Sequence, residues 1–344
     1  MELSDFDYDL PPGSIAQAPS GARDASRLLL IERARGAFAD HSFAELPDLL
    51  RPGDCLVVND SRVIPARVLT RDREGRPVEV LFVEPESEHR WRALVRPGRR
   101  CRPGTELGVG DAGGERLRVV GVAADGLRVI ERADGTIEDL LEQHGVPPLP
   151  PYIARHAKPA PEDWERYQTV YAKPPGSVAA PTAGLHFTPA VLDRVRARGI
   201  EIHALTLHVG PATFQPIRTP VVERHRLAAE RVRIPEAVAD AVNQARREGR
   251  RVVAVGTTTT RALEGSTDRG GAVEPRAGAV DLSITPGHRF RVVAALLTNF
   301  HLPRSSLLVL VSAFAGRELI VKAYQHAIQS GYRFYSYGDT TLVV

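Results

Sequence analysis

Residues 188–207 read TPAVLDRVRARGIEIHALTL, and they determine the predicted fold class. The segment opens with a threonine that can cap a helix and a proline suited to the first helical turn, and Gly199 ends the apolar repeat that follows. The alternating apolar residues at 200–207 then indicate a strand. A helix followed at once by a strand is the repeating unit of layered α/β domains, so this class is predicted.

The same alternation continues toward the carboxyl end. The spacing of alanine and valine predicts a helix over residues 236–248. The valine-rich run that follows predicts a strand over residues 251–255. Two further helices are predicted at 307–315 and 319–329, and a final strand at 334–336. The C-terminal half therefore fits an α/β body.

Residues 67–132 have a different pattern: short stretches of alternating apolar and polar residues are separated by glycine-containing turns. They predict a small antiparallel β-barrel. The glycines at 108, 110 and 113 imitate a dinucleotide motif, but they precede a strand instead of joining a strand to a helix, so we interpret them as a hairpin loop. A buried strand is predicted at 55–58, and the proline-rich residues 146–153 are interpreted as an extended return crossing.

The predicted organisation is discontinuous. Residues 1–66 and 147–344 form a layered α/β main domain, and residues 67–146 form an inserted small antiparallel β-barrel domain.

Composition is that of an ordinary globular protein, with 344 residues, 43% apolar and 25% charged. The longest apolar run, at 307–315, is about half of a membrane-spanning helix, and the amino terminus lacks the pattern of a secretory signal. Cys55 and Cys101 are too few for a disulfide framework or a zinc cluster. We expect a cytoplasmic protein with reduced thiols, no metal and no membrane partner.

Arginine is concentrated in two clusters, although the net charge is only +3. Six arginines lie between Arg90 and Arg102, and five lie between Arg62 and Arg76. The planar guanidinium suits phosphate, but solvated hairpins carry arginine equally well, and the residues alone leave both interpretations open. The candidates for nucleic-acid contact are Arg62, Arg67, Arg96, Arg99 and Arg100.

Three histidines occupy junctions between strands and loops: His186, His208 and His301. A single histidine of this kind is more often a hydrogen-bonded structural residue, but three at comparable junctions favour a ligand pocket, because ligands collect at the carboxyl ends of strands. Thr182 and His186 precede the helix capped by Thr188, where a carboxylate or phosphate is favoured.

Two acidic residues have equally simple structural interpretations. Glu264 follows Arg261 by three positions, which fits a surface ion pair on a helix. Asp339 fits a residue that shapes a turn.

At these residues the chain resembles the S-adenosylmethionine:tRNA ribosyltransferase-isomerase family of queuosine biosynthesis. The resemblance spans nearly the whole chain. The matching blocks are residues 6–11, 15–17, 26–29, 53–54, 59–60, 148–153, 167–172 and 332–339, together with the three histidine motifs.

The resemblance implies an enzyme that transfers and isomerises the ribosyl group of S-adenosylmethionine onto 7-aminomethyl-7-deazaguanine at the wobble position of tRNA. Epoxyqueuosine-tRNA, adenine and methionine are its products. S-adenosylmethionine is then a co-substrate, no cofactor is tightly bound, the tRNA is the macromolecular partner, and we expect a monomer.

The matched motifs also imply which residues form the site. His186, His208 and His301 are the candidates for proton transfer. The expected substrate-binding residues are Thr182, Gly184, Gly210, Thr257, Arg261, Glu264, Asn299 and Asp339.

Several positions depart from the family pattern, notably Ala228, Ala294, Thr340 and Thr341. Because these changes fall inside otherwise matching motifs, two alternatives stay open. One is a divergent paralogue that uses S-adenosylmethionine with a small acceptor instead of tRNA. The other is a tRNA-binding protein without catalysis.

Overall fold

The chain forms two compact units in a computed structural model that describes residues 1–110, 114–155, 157–211, 217 and 219–344. The first unit comprises Met1–Ser61, Gln168–Pro174 and Ala180–Val344, and the second comprises Arg62–Tyr167 and Pro175–Ala179. The second unit is therefore longer than the predicted insertion of residues 67–146. The proline-rich residues 146–153, interpreted as the return crossing, lie within it.

The first unit begins with two paired strands, a short helix and a buried strand. These are β1 (Arg27–Glu32), β2 (Ala37–Ser42), α1 (Leu46–Leu49) and β3 (Cys55–Asn59).

The second unit contains the barrel. Its elements are β4 (Arg62–Val63), β5 (Arg67–Arg71), β6 (Pro77–Pro85), β7 (Arg90–Arg96), β8 (Glu106–Val109), β9 (Glu115–Val122), β10 (Arg128–Arg132), α2 (Ile137–His144), α3 (Asp163–Arg166) and β11 (Pro175–Ser177). The strands close in the order β10-β7-β6-β5-β8-β9, with antiparallel neighbours throughout. Alternating side chains point inward and fill the barrel with a core that includes Val80, Phe82 and Trp91.

The remaining elements return to the first unit. They are α4 (Pro189–Ala197), β12 (Glu201–Leu207), β13 (Glu230–Ile234), α5 (Glu236–Arg247), β14 (Val252–Val255), α6 (Thr257–Glu264), β15 (Arg276–Val280), β16 (Ala295–Asn299), α7 (Ser306–Ala315), α8 (Arg317–Gln329) and β17 (Thr340–Val343).

One sheet unites the strands of the first unit in the order β15-β13-β12-β3-β14-β16-β17-β1-β2. The four strands β12, β3, β14 and β16 run parallel to one another. The three inner ones, β3, β14 and β16, are buried along their whole length, as parallel strands covered on both faces should be. Their carboxyl ends therefore lie at one edge of the sheet.

The predicted fold class is confirmed, since the structure is mixed α/β with a closed antiparallel barrel. The helix predicted after Thr188 is present, and the Thr188 side chain accepts a hydrogen bond from Val191 N at 3.2 Å. β8 and β9 pair antiparallel with Val109 opposite Glu115, and the predicted hairpin residues 111–113 lie outside the described residues.

The predicted final strand at residues 334–336 is wrong. Tyr335 adopts a φ of 75°, in the left-handed region that an extended strand excludes. The chain turns there and forms its last strand at β17 instead, between β16 and β1.

Both cysteines are buried free thiols. Among the residues that the structure describes, each helix is too short or too polar to cross a bilayer.

Candidate functional site

A pocket lies at the carboxyl edge of the parallel strands. It is formed by the residues that follow β12, β14 and β16, by the turn at 182–184 and by the turn that contains Tyr335. Such an edge is where open α/β sheets bind ligands. Its polar lining includes Thr182, Thr257, Thr258, Thr298, Asn299, His301 and Ser336.

Asn299, the last residue of β16, is held in one orientation by its neighbours. Its Nδ2 donates to Tyr335 O at 3.2 Å and to His186 Nε2 at 3.1 Å, and His186 Nδ1 lies 2.7 Å from Ser26 Oγ. Because the amide uses Nδ2 as the donor, Oδ1 remains as an acceptor, and it has no partner in the described chain. His186 thus orients the Asn299 amide, and Asn299 Oδ1 is left without a partner in the described chain.

His301 lines the same pocket and is 4% exposed. Its Nε2 lies 3.1 Å from Thr298 Oγ1, and its Nδ1 has no partner within the described residues. Burial lowers the pKa of His301 to about 3, so the imidazole is neutral at physiological pH. In either tautomer, Nδ1 carries one unmet hydrogen-bonding function.

His208 follows β12 and lies beside the pocket residue Val209. Burial, with a smaller contribution from Arg231, lowers the pKa of His208 to about 4. It too is a neutral imidazole. The structure thus brings His301 and Asn299 into the pocket lining, while His186 contacts Asn299 and is not a lining residue.

Gly210 connects this loop to a buried ion pair. Glu230 Oε1 accepts from Gly210 N at 2.9 Å, and Glu230 Oε2 accepts from Arg261 Nη1 at 2.6 Å. The side chains of Glu230 and Arg261 are 3% and 2% exposed. Glu230 therefore fixes the backbone after His208 and neutralises the guanidinium on α6.

The surface ion pair of Arg261 with Glu264 does not exist, because both side chains are buried and face different partners. Glu264 accepts backbone hydrogen bonds from Arg291, Val292 and Val293 at 2.9 to 3.0 Å. Burial alone raises the pKa of Glu264, but the His288 contact and these N–H groups outweigh it and hold the pKa below its usual range. Glu264 anchors the segment before β16 and is not among the pocket lining residues.

Gly184 and Asp339 have structural tasks. A Cβ added at Gly184 would lie 2.2 Å from Tyr171 Oη, so glycine is required for this close approach. Asp339 accepts from Arg27 N at 2.9 Å and from Arg333 N at 2.8 Å, which closes the turn that precedes β17.

The amino end of α4, where an anion was predicted, holds a carboxylate of the chain itself. Thr188 Oγ1 donates to Asp24 Oδ2 at 3.3 Å. His186 faces Ser26 and Asn299 instead of this helix end.

The arginine candidates divide into two groups. Arg62, Arg96, Arg99 and Arg100 are exposed. Arg67 is 3% exposed, donates to Leu149 O at 2.7 Å and lies 3.5 Å from Glu79, so its guanidinium does not face solvent. Arg73, Arg90 and Arg92 pair with glutamates, which is the arrangement of a solvated hairpin.

Two residues that hold the site were missed by the sequence interpretation. Glu230 shares the inward face of β13 with Val232 and Ile234, so the alternation of that strand already indicated a buried carboxylate in need of a partner. Ser26 lies 160 positions from His186 and gave no such signal. The described residues contain no group of histidine, cysteine and acidic side chains that could hold a metal ion.

The family model described as queuosine biosynthesis protein matches residues 3–343. A relative from Symbiobacterium thermophilum, named S-adenosylmethionine:tRNA ribosyltransferase-isomerase, is 50% identical over 346 residues, with 100% of both chains covered. A relative of the same name from Thermus thermophilus is 50% identical over 350 residues, with 99% of each chain covered. A crystal structure of S-adenosylmethionine tRNA ribosyltransferase from Thermotoga maritima is 34% identical, with a TM-score of 0.55, and the match covers 99% of this chain and 100% of that one.

Proposed function

The chain belongs to the queuosine biosynthesis protein family, and we propose on this basis that it is an S-adenosylmethionine:tRNA ribosyltransferase-isomerase. It transfers and isomerises the ribosyl group of S-adenosylmethionine onto 7-aminomethyl-7-deazaguanine at the tRNA wobble position. The products are epoxyqueuosine-tRNA, adenine and methionine. One observation carries the proposal: relatives of that name match the chain over its whole length at about half identity.

S-adenosylmethionine occupies the pocket at the carboxyl edge of the sheet. The unmet acceptor Asn299 Oδ1 suits a hydroxyl or amino group of the nucleoside. The amino end of α6 at Thr257 suits the methionine carboxylate, because the first N–H groups of a helix have no partner within the helix and attract an anion.

The ribosyl transfer requires proton transfer in a site that excludes water. The positive sulfonium acidifies the adjacent C5′, and adenine leaves more readily when it receives a proton or hydrogen bonds. His301 is the histidine of the three that lines the pocket, and its neutral imidazole presents Nδ1. We assign it the proton-transfer role, with His186 positioning Asn299 and His208 shaping the neighbouring loop.

The small-acceptor alternative is not favoured. Ala228, one of the divergent positions, is exposed. Thr340 Oγ1 donates to Arg27 O and Thr341 Oγ1 donates to Thr298 O. Both hydroxyls therefore form hydrogen bonds to neighbouring strands of the sheet. None of the three belongs to the lining of the described pocket. The divergence therefore gives no reason to replace the tRNA acceptor.

Adenine release tests the proposal. Purified protein is incubated with S-adenosylmethionine and one of three additions: tRNA carrying 7-aminomethyl-7-deazaguanine, the same tRNA with guanine at that position, or the free aminomethyl base. We expect release with the first addition and close to none with the second or third. Release with the free base but not with the tRNA would support the small-acceptor alternative, and tRNA binding without release would support a binding protein.

A further inference from the structure

Two tyrosines from distant parts of the chain hold the backbone of His301. The residue lies two positions beyond the end of β16, so its backbone N–H and C=O take their partners from side chains. Tyr324 Oη, on α8, accepts a hydrogen bond from His301 N at 3.2 Å, and the Tyr8 hydroxyl donates to His301 O. Both peptide groups that flank the His301 Cα are therefore paired.

The two tyrosines also contact each other. Their rings meet edge to face, with centroids 5.5 Å apart and an interplanar angle of 88°. Tyr324 is fully buried and Tyr8 is partly buried. Burial, with a smaller contribution from Tyr324, raises the pKa of Tyr8, so this phenol keeps its proton at physiological pH and remains a donor.

The amino-terminal segment, residues 6–16, makes further contacts with the loop that carries His301. Arg304, three positions after His301, donates its backbone N–H to Phe6 O at 2.9 Å. Its side-chain Nε donates to Asp7 Oδ2 at 2.8 Å. The contact between the segment and this loop therefore rests on a backbone hydrogen bond and an ion pair as well as on the phenol.

The same segment continues to the turn that contains Tyr335. Phe334 N donates to Ser14 O at 2.8 Å, and Ala16 N donates to Phe334 O at 3.1 Å. Tyr335 and His301 both line the pocket. The amino-terminal segment thus holds two parts of the pocket wall.

The imidazole ring is fixed by one more contact. Its Nε2 lies 3.1 Å from Thr298 Oγ1. The paired backbone determines the direction of the His301 Cα–Cβ bond, and the contact with Thr298 determines how the ring is rotated. This precision matters for proton transfer, which needs the two heavy atoms within hydrogen-bond reach, and a misplacement of about 1 Å can cost about a hundredfold in rate.

Building on the proposed function, we propose that Tyr8 is a positioning residue of the transfer reaction, which acts through the backbone of His301. Tyr8 is not among the lining residues of the described pocket, so its hydroxyl serves the histidine and not the substrate. Without that hydroxyl the His301 carbonyl loses its donor, and the peptide group after His301 is free to rotate. The imidazole is then less often in the orientation that proton transfer needs, whereas ground-state binding of S-adenosylmethionine is retained.

Tyr8→Phe tests this, because it removes one hydroxyl and keeps the ring that packs on Tyr324. The kcat of adenine release is measured with tRNA carrying 7-aminomethyl-7-deazaguanine, and the Kd of S-adenosylmethionine is measured without tRNA. We expect kcat to fall about tenfold or more and the Kd to change less than about twofold.

Tyr332→Phe is the matched control. Tyr332 is 2% exposed and packs against Phe300, as Tyr324 does, but its hydroxyl donates to Asp40 Oδ1 at 2.6 Å. This variant loses a phenol hydrogen bond in the same aromatic cluster, so it should lose stability while its kcat stays within about twofold of the wild-type value. An equal kcat for Tyr8→Phe and this control would overturn the proposal.

The His301→Ala background shows whether Tyr8 acts through His301. Once the imidazole is gone, Tyr8→Phe should change the remaining kcat less than about twofold, because the group that Tyr8 positions is absent. The full loss of activity on adding Tyr8→Phe to this background would show that Tyr8 affects the reaction by another route, and the proposal would be wrong.

A second readout follows the ring itself and needs no turnover. In protein with ¹⁵N-labelled histidine, the ring-nitrogen resonances of His301 are identified by their disappearance in His301→Ala. We expect Tyr8→Phe to shift or broaden them and Tyr332→Phe to leave them in place. Unchanged His301 resonances in Tyr8→Phe would also overturn the proposal. Failure of the proposed function would look different: the wild-type protein would release no adenine, although its His301 resonances still depended on Tyr8.

Discussion

At the scale of single residues, the ion pair of Glu230 with Arg261 is central to the site. It lies between the loop after β12 and the helix α6, and both side chains are almost fully buried. Removing one member of a buried pair leaves an uncompensated charge in the interior, which costs far more than the pair itself contributes. Glu230 therefore holds the loop after β12 and the helix α6 together.

Glu230→Gln should lower the free energy of unfolding by about 3–5 kcal/mol, because Arg261 then stays buried without a counter-charge. Urea denaturation followed by circular dichroism measures this. Glu223→Gln is the control, since Glu223 pairs with the amino terminus at a side-chain exposure of 43% and its replacement should leave the urea midpoint nearly unchanged. Equal urea midpoints for the two variants would refute the role of the pair.

Two of the predicted site residues belong to the motif that ends β16. Asn299 and His301 were expected at the ligand site and line the pocket. The partner of Arg261 was not predictable from spacing, because the carboxylate that neutralises it comes from β13, 31 positions away. A spacing of three on a helix describes neighbours on a surface, and it fails when the whole helix is buried, as α6 is.

At the scale of elements, the turn at 182–184 depends on a close approach to the segment 168–174. A Cβ at Gly184 would lie 2.2 Å from Tyr171 Oη and 2.8 Å from Thr169 Cγ2. The Tyr171 hydroxyl has no partner within the described chain, so removing it costs little in hydrogen bonding. This pair of residues offers a clean test of the packing that places Thr182 in the pocket.

Gly184→Ala should lower the melting temperature by several degrees, on the order of 1–3 kcal/mol for overpacking a tight contact. Adding Tyr171→Phe should restore part of the loss, because it removes the closest atom. Calorimetry of the two single variants and the double variant gives the coupling between the positions. Strict additivity of the two changes would show that the close approach is not what requires glycine.

Element boundaries were predictable wherever capping or periodicity was local, as in α4 and α5. The last strand was not. Residues 334–336 begin with two aromatic side chains and thus resemble a strand, but the hydrogen bonds between Arg333 and Asp339 close a turn around them. The true strand, β17, begins with two threonines whose hydroxyls are satisfied by Arg27 O and Thr298 O across the sheet, which sequence spacing does not reveal.

At the scale of the whole molecule, we expect the tRNA to be held in part through its phosphates. The exposed residues Arg96, Arg99 and Arg100 are the candidates for this task, and Arg67 is no longer one because it is buried. Phosphate binding releases counterions, so it determines how steeply the affinity weakens with salt.

Replacing Arg96, Arg99 and Arg100 together by glutamine should weaken tRNA binding. The slope of log Kd against log salt should fall by roughly 0.7–0.9 for each phosphate that is no longer neutralised. The control removes the same charge from the same unit at Arg73, Arg90 and Arg92, which already pair with glutamates. Its slope should change less. Equal slopes for the two triple variants would identify the first cluster as a solvated hairpin.

The barrel was predictable because the short alternating stretches of residues 67–132 differ clearly from the helix and strand alternation that follows them. The bounds of the unit that contains the barrel were not, because they depend on contacts between residues that are distant in the sequence.

The most direct measurement is the fate of the ribosyl carbons. S-adenosylmethionine labelled with ¹³C in its ribose is incubated with the protein and tRNA carrying 7-aminomethyl-7-deazaguanine, and the digested nucleosides are analysed by mass spectrometry. We expect the labelled carbons to appear in the wobble nucleoside while unlabelled adenine and methionine are released. A wobble nucleoside of unchanged mass, with the label remaining in small molecules, would contradict the proposed transfer.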